Sequence, residues 1–148
     1  MRLPHRSINP ELYQAVLNLE MKVRASGIDK KLLHLIKARA SQVNNCAFCI
    51  DMHMKEARAD GESEERLYLL SAWREAPQFT ARERAALAWT ETVTRVAETH
   101  VPDHEWDAVR QEFSGEDVAK LTFAIGTINI WNRIAVSFRS VPGTTPGA

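Results

Sequence analysis

The amino-acid sequence predicts an all-α, single-domain fold of six or seven helices. Three observations carry that expectation. Apolar residues recur at three- and four-residue intervals through most of the chain, the period of a helix with one buried face. Helix-starting residues (Asn9-Pro10, Asp29, Ser63, Thr80, Pro102-Asp103) and stopping residues (Gly27, Gly61, Pro77) punctuate those stretches at helical lengths. No segment of any length alternates apolar and polar residues as a half-buried strand does.

Residues 1–9 read as an extended arm, broken by Pro4 and ordered only by docking on another surface. Residues 10–140 form the core, and residues 141–148 a tail of Pro, Gly and Thr that forms structure poorly. Pro10 suits the first turn of a helix capped by Asn9, and Leu12, Val16, Leu19 and Val23 keep its period until Gly27. Asp29 caps a second helix with the stripe Leu32, Leu33, Ile36, Ala40 and Val43, which also carries His34, Lys37 and Arg39. Asn44-Asn45 breaks it, and one of these asparagines caps a third helix that holds both cysteines and ends at Gly61.

Ser63 caps a short fourth helix with Glu64 and Glu65 in its first turn, where the helix dipole favours them; Leu67 and Leu70 face inward. Thr80-Ala81-Arg82-Glu83 is a capping box that opens a helix through Ala85, Trp89, Val93 and Val96. Pro102-Asp103 starts a short helix with Trp106, Val109 and Phe113 on one side. After Ser114–Asp117 comes the longest apolar run, from Val118 to about Ser140, which reads as a central and largely buried helix.

With 148 residues the chain fits one domain able to bury a real core. Its 19 basic and 19 acidic residues are interspersed and cancel, which argues against nucleic acid or an anionic membrane as partner. No apolar run approaches the roughly 20 residues of a membrane span, and the basic start Met1–Arg6 lacks the apolar stretch of a signal peptide. A cytoplasmic address is expected, where a lone Cys-x-x-Cys is more often catalytic than structural.

Asn44-Asn45-Cys46-Ala47-Phe48-Cys49-Ile50-Asp51-Met52-His53 contains the only two cysteines and one of five histidines. On a helix Cys46 and Cys49 (i, i+3) and Cys49 and His53 (i, i+4) share one face. Unpaired N–H groups and the dipole at the helix start favour a thiolate, the form that attacks peroxides and disulfides. The pattern supplies a nucleophile, a resolving thiol and a titratable base. Helix-end electrostatics alone favour Cys46 as the nucleophile, whereas the nearness of His53 favours Cys49. Three other readings compete: buried cysteines used as small hydrophobes, a structural disulfide, and zinc. Zinc would need a fourth ligand from His34, His100 or His104. Because the motif follows a helix and not a strand, a thioredoxin fold fits poorly.

The stretch from Arg39 to His53, with Ala57-Arg58, Gly61-Glu62, Trp73-Arg74-Glu75 and Asn129-Ile130-Trp131-Asn132-Arg133, closely resembles the alkylhydroperoxidase AhpD-like proteins of the carboxymuconolactone decarboxylase superfamily. The resemblance covers roughly residues 8–140 and implies an all-α fold and a thiol-dependent peroxidase acting on hydrogen peroxide or alkyl hydroperoxides. It implies Cys49 as the peroxidatic cysteine, Cys46 as the resolving one and His53 as a member of a proton relay. It also implies a homo-oligomer, a hexamer favoured over a trimer, and reduction by an external dithiol of the dihydrolipoamide or thioredoxin kind. No bound cofactor or metal is expected.

The relay glutamate of that pattern falls on His34, which can itself carry protons near neutrality. A carboxymuconolactone decarboxylase-like enzyme is an alternative that the intact cysteine pair argues against; a non-enzymatic redox sensor or an oligomeric binding protein is another. Thr127, Asn129, Asn132 and Arg133 interrupt the apolar last helix, either to satisfy buried polar groups or to line a pocket. Glu91 either approaches the site or faces solvent.

Overall fold

The order of helices is set by where the sequence stops and restarts them. The structure, a computed structural model, describes residues 1–143, and it holds nine α-helices among them. These are α1 (His5–Ile8), α2 (Pro10–Arg24), α3 (Lys30–Val43), α4 (Ala47–Ala59) and α5 (Glu64–Leu69), then a 3-10 turn at Leu70–Ala72. They continue with α6 (Ala81–Thr94), α7 (Val96–Thr99), α8 (Asp103–Glu112) and α9 (Gly115–Phe138). Seven of the nine correspond to the expected elements; α1 and α7 are single turns of four residues. Residues 144–148 of the expected tail lie outside the described residues.

The caps follow side-chain chemistry. Asn9, Asp29, Ser63, Thr80 and Ser114 each accept a backbone N–H of the first turn, which satisfies donors a helix start otherwise leaves orphaned. Thr80 and Glu83 close the capping box reciprocally.

The two largest apolar clusters hold the helices together, and α3 sends neighbouring faces into them. Leu32 and Ile36 join Ala86, Trp89, Val109, Phe113, Val118, Leu121 and Ile125. Leu35 and Ala38 join Ala57, Leu67, Leu70, Trp73, Ala76, Phe79 and Leu87. The central helix is therefore α3, which packs on α4, α6 and α9, and not the last helix as the apolar run suggests. That run buries Leu121, Ala124, Ile125 and Ile128 but leaves Phe123, Ile130 and Val136 exposed. Burying side chains on both faces, α3 encloses Lys37 and Ser41 as well as its apolar stripe.

The N-terminal arm also differs from expectation. It is not extended throughout: Ser7 and Ile8 donate their N–H groups to the Pro4 carbonyl, closing the turn α1. Its docking surface lies on its own chain. The Arg2 N–H donates to the Phe138 carbonyl at 2.7 Å, and the His5 ring stacks on Phe138 with centroids 5.2 Å apart. Tyr13 lies beside His5 and meets Trp131 edge-on.

Candidate active site

The turn between α3 and α4 explains where the cysteines sit. Asn45 adopts the left-handed conformation (φ 52°), which asparagine tolerates better than other non-glycine residues. Its N–H donates to the Gln42 carbonyl and that of Cys46 to the Ser41 carbonyl, the paired bonds that terminate a helix at a left-handed residue. Because Asn45 is spent on ending α3, the cap of α4 is Cys46 and not an asparagine: its Sγ accepts the Cys49 N–H at 3.3 Å. Asn44 Nδ2 donates to Asn129 Oδ1 and Asn132 Oδ1, and Asn132 in turn donates to Ser41 Oγ. The polar residues of α9 thus clamp the turn that presents the motif.

Cys46 and Cys49 are joined by a disulfide with their Cα atoms 5.4 Å apart. Each is 1% exposed and packs against Ala135 and Phe48. The two sulfurs are not equivalent. Cys49 lines a cavity of about 760 Å³, while Cys46 does not. The walls are Tyr13, Leu17, Phe48, Met52, Trp131, Ile134 and Ala135, and the arm residues Met1, Pro4, His5, Arg6 and Ser7 border it. Its polar lining includes Glu20, Arg24, His53 and Glu56, together with His5, Arg6, Ser7 and Ser140.

His53 is 2% exposed, and its Nδ1 lies 3.0 Å from Glu56 Oε2. Burial holds its ring below the usual histidine value, although Glu56 pulls the other way. The hydrogen bond from His53 lowers the Glu56 carboxyl to about 2, so that group is ionised and can only accept. Nδ1 therefore carries the proton of a neutral ring and Nε2 is bare. That atom is buried with no hydrogen-bond partner. It is an acceptor waiting for a proton, one helical turn from Cys49.

Glu20, on α2, was not singled out by the sequence. It is 8% exposed, and Lys37 (1% exposed) and Arg24 both donate to its Oε1, Arg24 at 2.7 Å. Burial pushes the Glu20 carboxyl up, but the neighbouring Lys37 and Arg24 outweigh it and leave it below the usual carboxylate range. Burial likewise pulls the Lys37 ammonium below its usual value against the opposing pull of Glu20. The second oxygen, Glu20 Oε2, is buried without a partner. A signal was present: Glu20 interrupts the apolar stripe of α2 between Val16 and Val23, and Lys37 that of α3 between Leu33 and Ala40. Opposite charges on the buried faces of two helices mark a buried pair.

His34 is not brought to the dithiol. It is buried on α3, its Nε2 lies 2.5 Å from Asp60 Oδ2 at the far end of α4, and it does not line the cavity. Glu91 neither approaches the cysteines nor faces solvent. It accepts from Trp73 Nε1, Arg39 and Arg74 and ties α3, α6 and the segment after the 3-10 turn together. Among the described residues no three His, Cys, Asp or Glu side chains converge as metal ligands would, and no helix is long and apolar enough to cross a membrane.

Residues 10–92 match the model of the carboxymuconolactone decarboxylase family. The uncharacterised protein YdfG of Bacillus subtilis (strain 168) is 39% identical over 136 residues, 92% of either chain. A solved structure of a protein of unknown function from Agrobacterium tumefaciens, ATU0492, superposes with a TM-score of 0.94 at 49% identity. That alignment covers 97% of this chain and 99% of the other, and the ATU0492 name ties that protein to antioxidant defence and AhpD. The debrominase Bmp8 shares the fold at a TM-score of 0.84 and 20% identity, over 95% of this chain and 75% of its own.

Proposed function

From the premise that the chain belongs to the carboxymuconolactone decarboxylase family, with an AhpD-like fold, we propose that it is a thiol-dependent peroxidase using Cys49 and Cys46 as a dithiol. The observation that carries this reading is the cavity: Cys49 and His53 both line it, Cys46 does not, and the buried Nε2 of His53 has no hydrogen-bond partner. In the reduced protein, His53 Nε2 takes the Cys49 proton. The thiolate attacks the outer oxygen of the hydroperoxide, the O–O bond breaks, and the departing alkoxide takes the proton from His53 as alcohol. Cys49 is left as a sulfenic acid, and the Cys46 sulfur displaces its oxygen as water to give the disulfide of the structure.

Reduction runs through the same mouth. Both sulfurs are almost wholly buried, so a slender dithiol of the dihydrolipoamide kind has a path to Cys49 that the bulk of a thioredoxin lacks. Its thiolate attacks Cys49, and Cys46 leaves as a thiolate at the start of α4, where the backbone N–H groups favour it. The second thiol of the reductant then releases Cys49. The volume of the cavity supports organic hydroperoxides over hydrogen peroxide. We place the chain in a homo-oligomer, a hexamer favoured.

The test is a steady-state assay with cumene hydroperoxide and dihydrolipoamide. Turnover is expected, abolished by Cys49→Ser. Cys46→Ser should still form a sulfenic acid in a single turnover, trapped by dimedone. Consumption of peroxide that survives Cys49→Ser, or none in the native chain, overturns the proposal.

A further inference from the structure

We propose that residues 139–143 form a strap over the mouth of the cavity, and that Asp51 latches it and so sets how large a molecule reaches Cys49. The inference takes from the proposed function only that Cys49 is the reacting thiol. It holds for any electrophile or reductant that must enter. Asp51 is then a positioning residue, acting through the strap and not on the sulfur.

The strap follows from how α9 ends. Arg139 adopts the left-handed conformation (φ 56°); its N–H donates to the Val136 carbonyl and that of Ser140 to the Ala135 carbonyl. The same pair of bonds terminates α3 at Asn45, and here it turns the chain away from the helix axis. Ser140 and Val141 then line the cavity, as Cys49 and the arm residues do. Pro142 holds the next step with its fixed φ. Gly143, at a positive φ of 78° that glycine takes without penalty, donates its N–H to Asp51 Oδ2 at 3.0 Å. The two residues are 92 positions apart, so the bond is a tertiary tether and not part of a local turn.

The latch sits outside the cavity it controls. Asp51 stands between Cys49 and His53 in the sequence, but helical residues two apart point to different sides. Phe48, Cys49, Met52, His53 and Glu56 line the cavity and Asp51 does not. Its carboxylate grips the strap without entering the chemistry. Lys55 donates to that carboxylate at 2.8 Å and, ahead of the Gly143 N–H, holds it below the usual carboxylate range, so it is ionised at neutrality. A hydrogen bond to an ionised acceptor is a strong one. Inside, about 760 Å³ is room for a drug-sized molecule, yet Cys49 is 1% exposed. Passage through the mouth, not space behind it, limits what arrives.

The test compares two maleimides with the same reactive group and different bulk, N-methylmaleimide and N-(1-pyrenyl)maleimide. They are applied to the full chain carrying Cys46→Ser, which leaves Cys49 as its one thiol. The Cys49 thiolate adds to the maleimide double bond, a carbon–sulfur bond forms, and water supplies the proton to the neighbouring carbon. Both reagents sense the same thiolate, so the ratio of their rates reports passage and cancels any change in the thiol itself. Asp51→Ala should raise the pyrenyl-to-methyl ratio at least about fivefold, the shift in open population that loss of one such bond supports. Asp51→Asn keeps an acceptor for the Gly143 N–H, and Lys55→Met keeps the carboxylate; both should stay within about twofold of the parent ratio.

Gly143→Pro removes the donor from the other side of the bond and leaves α4 untouched, so it should reproduce the rise, and it serves alone should Asp51→Ala fail to fold. An unchanged ratio in either folded variant overturns the proposal. So does a rise in Asp51→Asn equal to that in Asp51→Ala, which would make the lost charge and not the strap responsible. The expected ratios in a protein without peroxidase turnover would overturn the peroxidase reading alone.

Discussion

At the scale of the residue, His53 couples chemistry to stability. The buried ring titrates below the ordinary histidine value of 6.5. As pH falls past 6.5, the unfolded chain takes up a proton that the folded one refuses, so stability falls with falling pH. Glu56, lowered from 4.5 to about 2, adds a second loss as pH falls from 4.5 through 2. Urea denaturation across pH 2 to 8 should show both losses, and His53→Gln should remove the first; a variant profile parallel to the native one contradicts this assignment. Cys46, Cys49 and His53 were legible in the sequence because their geometry is local to one helix. Glu20 was not, although it stands out of place on an apolar stripe, because the meaning of a buried carboxylate depends on Lys37 arriving from another helix.

At the scale of the element, the short passage from α3 to α4 decides where the sulfurs point. The sequence marks the break at Asn44-Asn45 but not its handedness, because asparagine serves equally as helix cap and as left-handed terminator. Asn45→Gly should leave stability and peroxide reduction near native. Asn45→Val should cost about 1–2 kcal/mol, the penalty of a side chain in the left-handed region, and urea unfolding measures it. Equal stability of the two variants would deny the turn its conformational role. The apolar run of α9 misled for a related reason: hydrophobicity alone cannot separate a helix buried by its own domain from one whose outer face keeps Phe123 and Ile130 exposed.

At the scale of the whole molecule, those exposed side chains lie beside a groove of about 560 Å³ lined by Leu19, Val118, Phe123, Gly126 and Ile130. The proposed assembly accounts for such a surface. Light scattering at micromolar concentration should give a multiple of the 16.7 kDa chain mass, and Phe123→Glu should shift it downward. A mass of one chain at every concentration refutes the assembly. The helical architecture itself was legible, since period and caps are properties of neighbouring residues. The docking of the arm was not, because it joins Arg2 to Phe138 across nearly the full length of the chain. That docking has a consequence for time as well as shape. Helix α1 buries no residue, and one backbone bond and a stacked ring pair do much of the work of holding it to α9. Its amides should exchange with solvent water orders of magnitude faster than those of α3. Such exchange would let the entrance to the cavity open on a different timescale from the core, so that molecules pass without any excursion of the helices that hold the sulfurs in place.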